Sequence, residues 1–289
     1  TLLGGAGNDT LNGGNGDDYL EGGVGADTYI YTAVGDTIYD NGSDNEIDTI
    51  LFGSGITAND ITFTRVGRYD LQINVNGNSA IYIENQFDED DQIETLAFDN
   101  STTLDLLSIV YTTEGTSYGE TLYGTDAGAH SDILNGYAGN DTLYGYSGDD
   151  TLDGGAGSNK LYGGDGDDTY LITDAGDTIN DYSGSDTIIF ATGYDLNDLT
   201  LIRSGQYDLI VSFNGTPTLT ISNQFDEDEK IEMLEFSDSS TFNLLTQSYT
   251  LTGDSGNNTL YGIAYNFTSS VAINIAAVFK VKNKYINKK

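Results

Sequence analysis

The chain has 289 residues, 46 of them acidic and 10 basic, for a formal charge of −36. Five of the ten bases (Lys280, Lys282, Lys284, Lys288 and Lys289) fall in the last ten residues, so the stretch 1–261 holds every acid and only five bases. Such a surface repels nucleic acid and anionic membranes, and its self-repulsion opposes compaction unless a cation intervenes. Cysteine is absent and His130 is the only histidine, which removes disulfides and thiolate chemistry and argues against zinc, haem and iron–sulfur ligation. What remains is a hard cation held by oxygen.

In chain order, the first element is a block of nine-residue units starting at Gly4, Gly13 and Gly22. Each reads G-G-x-G-x-D-x-(Leu or Tyr)-x, with Asp9, Asp18 and Asp27 at place six. The segment 32–114 follows without that phase. It reads as β: Ile61 and Phe63, then Leu71, Ile73 and Val75, alternate about a turn at Gly67, and Asn76–Gly77 is a hairpin signal before Ile81 and Ile83. Short helical stretches are expected only near 104–109 and 244–247.

A second block, 115–171, opens with looser units at Gly115 and Gly124, whose place-six acids are Glu120 and, after a three-residue insertion, Asp132. Four regular units start at Gly136, Gly145, Gly154 and Gly163, with Asp141, Asp150, Asn159 and Asp168 at place six. The segment 172–252 then repeats the first linker: "NQFDEDDQIETLAF" at 85–98 returns as "NQFDEDEKIEMLEF" at 223–236, an offset of 138 that also relates Arg65 to Arg203. A truncated third block (253–261) and an acid-free, lysine-rich tail (262–289) complete the array; the tail fits none of the preceding patterns and reads as a terminus foreign to it. The chain starts at Thr1 in the phase of a unit's last three residues, so we expect it to be part of a longer protein. No secretory signal peptide opens it and no apolar run reaches membrane-spanning length.

Six residues of turn and three of strand give about 10 Å of strand per unit. Two units with turns on opposite edges form one coil, which stacks unit n on unit n+2. The single apolar residue at place eight then points inward: Leu11, Leu20, Leu143, Leu152 and Leu161, with Tyr29 and Tyr170 closing each block. Glycines at places two and four (Gly5, Gly7, Gly14, Gly16, Gly23, Gly25, Gly139, Gly148, Gly155, Gly157, Gly164 and Gly166) permit positive φ and bare the backbone carbonyls. Carbonyl oxygens and carboxylates in a shared turn suit Ca²⁺, which takes about 6–8 oxygens, better than the tighter octahedron of Mg²⁺.

These units resemble the RTX, or haemolysin-type calcium-binding, nonapeptide repeat, and the linkers resemble the module often found between such repeats. The resemblance implies an all-β fold of parallel β-roll blocks alternating with β-rich linkers, several Ca²⁺ ions, export through a type I secretion machinery, and calcium-triggered folding outside the cell. Carried over unit by unit, it pairs Asp9 with Asp27, Asp132 with Asp150, Asp150 with Asp168, and Asp141 with Asn159, whose neutral amide departs from the pattern. Asp18 is the remaining ligand of the first block, and Asn258 stands alone in the third. The linkers either extend the roll or form small β domains of their own.

Other features admit two readings. Arg65 and Arg203 could receive an anionic saccharide or pair locally with Asp70 and Asp208. The acidic turns at 87–90 and 225–228 could bind a further cation or simply be solvated beside Phe87 and Phe225. Catalysis is not expected, since one histidine builds no Ser–His–Asp set and neither H-E-x-x-H nor G-x-S-x-G occurs. The parent is then an exported calcium-binding protein, or an adhesin with a glycan or cell-surface partner, or a toxin or extracellular enzyme of which this is a non-catalytic carboxyl-terminal part.

Overall fold

A computed structural model of the chain describes residues 1–42, 46–88, 91–125, 130–226 and 229–247. The third block, the lysine-rich tail and part of each acidic turn lie outside the described residues. Apart from four single-turn 3₁₀ segments, including Leu106–Ser108 and Leu244–Thr246, the regular structure is β. It forms a parallel β-solenoid in two successive rolls, each of two facing sheets.

In the first roll one sheet stacks Leu2–Ala6, Tyr19–Val24, Asp36–Tyr39 and Asn78–Glu84 in parallel. The other stacks Thr10–Leu11, Thr28–Tyr31, Thr49–Phe52 and Thr95–Phe98. The second roll repeats the plan. Tyr111–Glu114, Asp132–Asn135, Thr151–Asp153, Thr169–Ile172, Thr187–Phe190 and Met233–Phe236 make one sheet. Thr121–Tyr123, Thr142–Ser147, Lys160–Asp165, Asp177–Asn180 and Thr216–Ile221 make the other.

The register is that of the two-unit coil. Leu143 sits beside Leu161, and Leu152 beside Tyr170, each 18 residues on. All seven predicted place-eight residues are buried, five of them in a central file of Leu that ends on the two tyrosines. A strand three residues long has room for one inward side chain, so each unit adds one apolar residue to a narrow core. The twelve predicted turn glycines all have positive φ, between 69° and 132°. At Gly157 the constraint is doubled, because a Cβ there would overlap the carbonyl of Gly139 in the preceding coil.

Nothing interrupts the stack where the nonapeptide pattern fades. Ile38, Ile50, Ile179 and Ile188 continue the buried file, so the linkers extend the roll. Each linker then covers the open end. Ile61–Val66 and Asp70–Val75 pair antiparallel with each other and with Asn78–Glu84, and Leu199–Ser204 and Asp208–Phe213 do the same in the second roll. Asn76 and Gly77 take φ of 51° and 75°, the backbone of a tight hairpin turn. Antiparallel pairing closes a parallel stack that would otherwise expose an edge.

The core file makes a direct prediction. Leu152→Ala removes a fully buried side chain and is expected to cost about 2–5 kcal/mol in denaturant unfolding with calcium present. The control Leu3→Ala, at a residue 67% exposed, is expected to change stability by no more than about 0.5 kcal/mol.

Candidate metal centre

Place six is a rung as well as an acid. The Asp9 N–H donates to Asp27 Oδ1 at 2.7 Å, Asp27 N–H to Asp48 Oδ1 at 2.7 Å, and Asp48 N–H to Glu94 Oε2 at 2.7 Å. In the second roll the ladder runs from Asp132 to Asp150 at 2.7 Å, Asp150 to Asp168 at 2.8 Å, Asp168 to Asp186 at 2.9 Å and Asp186 to Glu232 at 2.8 Å. On the opposite edge Glu120 N–H reaches Asp141 Oδ1, Asp141 N–H reaches Asn159 Oδ1, and Asn159 N–H reaches Asp177 Oδ1. Asp18 N–H donates to Asp36 Oδ1 at 3.1 Å. The predicted pairs are therefore neighbours, each joined by one bond from a backbone N–H to a side-chain oxygen, a carboxylate in every pair but Asp141–Asn159, where it is an amide.

That bond uses one oxygen and fixes where the other points. Oδ2 of Asp9, Asp141, Asp150 and Asp168 is buried with no hydrogen-bond partner. Each of these oxygens faces the place-one glycine of its own unit, beside the place-one carbonyl of the unit below or an acid that replaces it. A Cβ on Gly4 would lie 2.8 Å from Asp9 Oδ2 and 2.6 Å from the Gly22 carbonyl, and one on Gly136 would lie 2.8 Å from Asp141 Oδ2 and 2.7 Å from the Gly154 carbonyl. Glycine keeps a small oxygen-lined cradle open in each turn.

Four buried carboxylate oxygens without donors are costly as they stand. Burial raises the Asp150 carboxyl to about 7, with Asp132 and Asp149 nearby adding to the rise. Asp168, Asp186 and Asp48 are pushed up further, by burial first and by neighbouring carboxylates second. A divalent cation relieves both causes at once, and the donor set of carboxylates and carbonyls is that of Ca²⁺. The residues present fit it.

At the last nonapeptide unit of each roll the cradle becomes a cluster of three acids. Asp27, Asp40 and Asp48 bring carboxylate oxygens within 4.8 Å of one another, as do Asp168, Asp181 and Asp186, and all six are buried. Oδ2 of Asp181 and of Asp186 has no partner. Tyr29 donates its hydroxyl to Asp40 Oδ1 at 2.8 Å and Tyr170 donates to Asp181 Oδ1 at 2.5 Å, which explains why tyrosine replaces leucine there. Asp40 and Asp181 stand where other units have the place-one glycine, and a carboxylate replaces the carbonyl ligand.

Sequence reasoning missed Asp36, Asp40, Asp48, Asp177, Asp181 and Asp186 because it required the glycines. The signal was present: Asp177 and Asp186 continue the nine-residue phase from Asp168, with Ile179 and Ile188 at place eight. Asn159 differs in the other direction. Its Nδ2 donates to the Gly155 carbonyl at 3.3 Å and lies against Gly154 where the other units place an acceptor oxygen. A donor fills that cradle.

The sequence family of the RTX calcium-binding nonapeptide repeat matches residues 1–29, 114–145, 126–161, 144–171 and 250–262, the last lying outside the described residues. No curated protein matches the chain. Among solved structures, the extracellular lipase LipA from Serratia marcescens aligns at 21% identity with a TM-score of 0.33, over 76% of this chain and 37% of the lipase. The chain thus spans little more than a third of that relative's length.

Ligand count makes the cradles separable by experiment. Asn159→Asp, which replaces the inward donor by an acceptor, is expected to lower the calcium midpoint several-fold or add a bound ion in isothermal titration calorimetry. Asp168→Asn, inside the three-acid cluster, is expected to raise the midpoint by about tenfold or more. The repeat matches, the stacked turns and the buried carboxylates converge on one reading: the chain carries RTX-type calcium-binding nonapeptide repeats over residues 1–29 and 114–171.

Proposed function

We propose that the two rolls are calcium-dependent folding modules of an exported protein, with the cradles at Asp9, Asp27, Asp141, Asp150 and Asp168 as the principal ion sites. The observation that carries this reading is the row of buried, partnerless Oδ2 atoms of Asp9, Asp141, Asp150 and Asp168, each beside the place-one glycine of its unit. When bound, Ca²⁺ supplies the positive charge and the multiple oxygen contacts that these turns lack.

The chain's own residues set the coupling. Without a cation, every coil brings carboxylates of successive units into line at hydrogen-bonding distance from one another's backbone, and ordering the glycine-rich turns costs entropy as well. The extended, solvated chain escapes both costs. Folding free energy is then largely ion-binding free energy, the situation of small metal-dependent domains. Extracellular calcium modules work at about 10⁻⁴–10⁻³ M, well above cytosolic levels, so the chain would stay unfolded inside the cell and order outside it. Passage through a type I secretion machinery fits that order of events. Among the described residues no helix is long and apolar enough to cross a membrane.

Far-UV circular dichroism of the purified chain during a Ca²⁺ titration, with Mg²⁺ as the control, tests the proposal. A cooperative gain of β signal between submillimolar and millimolar Ca²⁺, absent with Mg²⁺, is expected. A chain already folded in chelator and indifferent to calcium would overturn it.

A further inference from the structure

The seam between the two rolls is closed by an arginine. Arg65, on the capping hairpin of the first roll, has a side chain only 1% exposed. It does not pair with Asp70, which instead accepts from Tyr82 and from the Asn85 backbone. Its guanidinium crosses into the second roll, where Nη2 donates to the Gly124 carbonyl at 2.7 Å and Nη1 to Thr125 Oγ1 at 2.9 Å. Nη1 also lies 3.7 Å from Asp132 Oδ1.

Those acceptors have counterparts in every interior coil. The carbonyls of Gly145 and Gly163, equivalent to Gly124, face the carboxylates of Asp132 and Asp150 in the units above them. Oδ1 of Asp150 and of Asp168 accepts a backbone N–H from the unit above. Asp132 is the first acid of its stack. The residue beside it on the preceding strand is Tyr111, which brings no carboxylate, and Asp132 Oδ1 has no hydrogen-bond donor. Arg65 stands at the position that a cation and a preceding coil would otherwise fill.

We propose that Arg65 is a resident cation for the second roll: its guanidinium occupies the terminal cation position ahead of Gly124 and Asp132, and locks the two rolls in register without an ion at the seam. The apolar contacts agree. Tyr111, on the first strand of the second roll, is buried in the core of the first, edge-on to Phe87 at 4.9 Å. Arg65 itself lies over the Phe87 ring at 4.0 Å.

Arg203 supplies the internal control. It keeps the local contacts of Arg65, donating to the Gln206 carbonyl as Arg65 does to that of Arg68, and lies 4.4 Å over the Phe225 ring. Among the described residues it crosses to no other roll. The bonds of Arg65 to Gly124 and Thr125 and its approach to Asp132 are additional to these local contacts.

The experiment is hydrogen exchange of the whole chain in saturating calcium, resolved by peptide, for Arg65→Gln, Arg65→Lys and Arg203→Gln. Arg65→Gln is expected to speed exchange in the strands at 111–135 by about tenfold or more, since charge-assisted bonds to a buried carboxylate and carbonyl are lost. Arg65→Lys, which keeps the charge but not the fork, is expected to fall between it and the unaltered protein, and Arg203→Gln to leave 111–135 unchanged. Failure of Arg65→Gln to fold while Arg203→Gln folds also supports the proposal. Equal effects of Arg65→Gln and Arg203→Gln on 111–135, effects of Arg65→Gln confined to its own hairpin at 61–75, or a lysine variant no better than the glutamine one would overturn it. None of these outcomes depends on whether calcium triggers folding.

Discussion

Everything in this protein follows from buried carboxylates held in line. A place-six acid spends one oxygen on the backbone of the coil above and turns the other into a glycine-lined cradle with no donor in reach. The same residue thus builds the solenoid and creates its principal instability. Hydrophobic burial cannot offset this alone, because a three-residue strand places a single side chain inward and the core is only one residue wide. Counter-charge has to come from outside the sequence of the blocks, which contains almost none: Lys160 is the only base between 72 and 202.

The two chemically distinct ends of a roll reflect this. Within the stack, glycine carbonyls and single carboxylates line each turn. Toward the end of the nonapeptide run, Asp40 and Asp181 replace the glycine, and a tyrosine hydroxyl donates to each of them. The roll then continues on Ile38, Ile50, Ile179 and Ile188, more apolar and less dependent on turn oxygens, before the hairpin closes it. The structure passes from coils lined by turn oxygens to apolar-packed ones within a few strands. The aromatic contacts follow the same shift: Phe190 stacks on Phe236 at 5.6 Å and meets Phe213 edge-on at 5.0 Å in the second cap.

Much of this was legible in the residues. The nine-residue phase gave the two-unit coil, the inward leucines and the pairing of acids 18 apart, because period, turn chemistry and side-chain direction all point to one geometry. The hairpins of the linkers were readable from Ile61, Leu71, Ile73 and the Asn76–Gly77 turn. What was lost depended on treating glycine as the signature. Asp177 and Asp186 keep the phase with Thr173 and Tyr182 where the place-two glycine was expected, so the coil survives a substitution that the pattern does not. In the opposite sense Asn159 keeps every glycine and still aims a donor inward. The seam was illegible for a different reason. Arg65 and Asp132 are far apart in sequence, and nothing local distinguishes an arginine that reaches into the next roll from one that serves its own loop.

A solenoid in which one turn of the helix consumes two units imposes a parity on its own evolution. Adding a single nonapeptide to the second block would shift every later residue by half a coil, so that strands of one sheet fall into the other and the closing hairpin meets the wrong edge. Adding two would lengthen the roll by one strand spacing in each sheet, about 4.8 Å, and leave both the cap and the arginine seam where they are. The three-residue insertion before Asp132 shows that a turn absorbs small additions, whereas a half-coil cannot be absorbed. The molecule counts in eighteens.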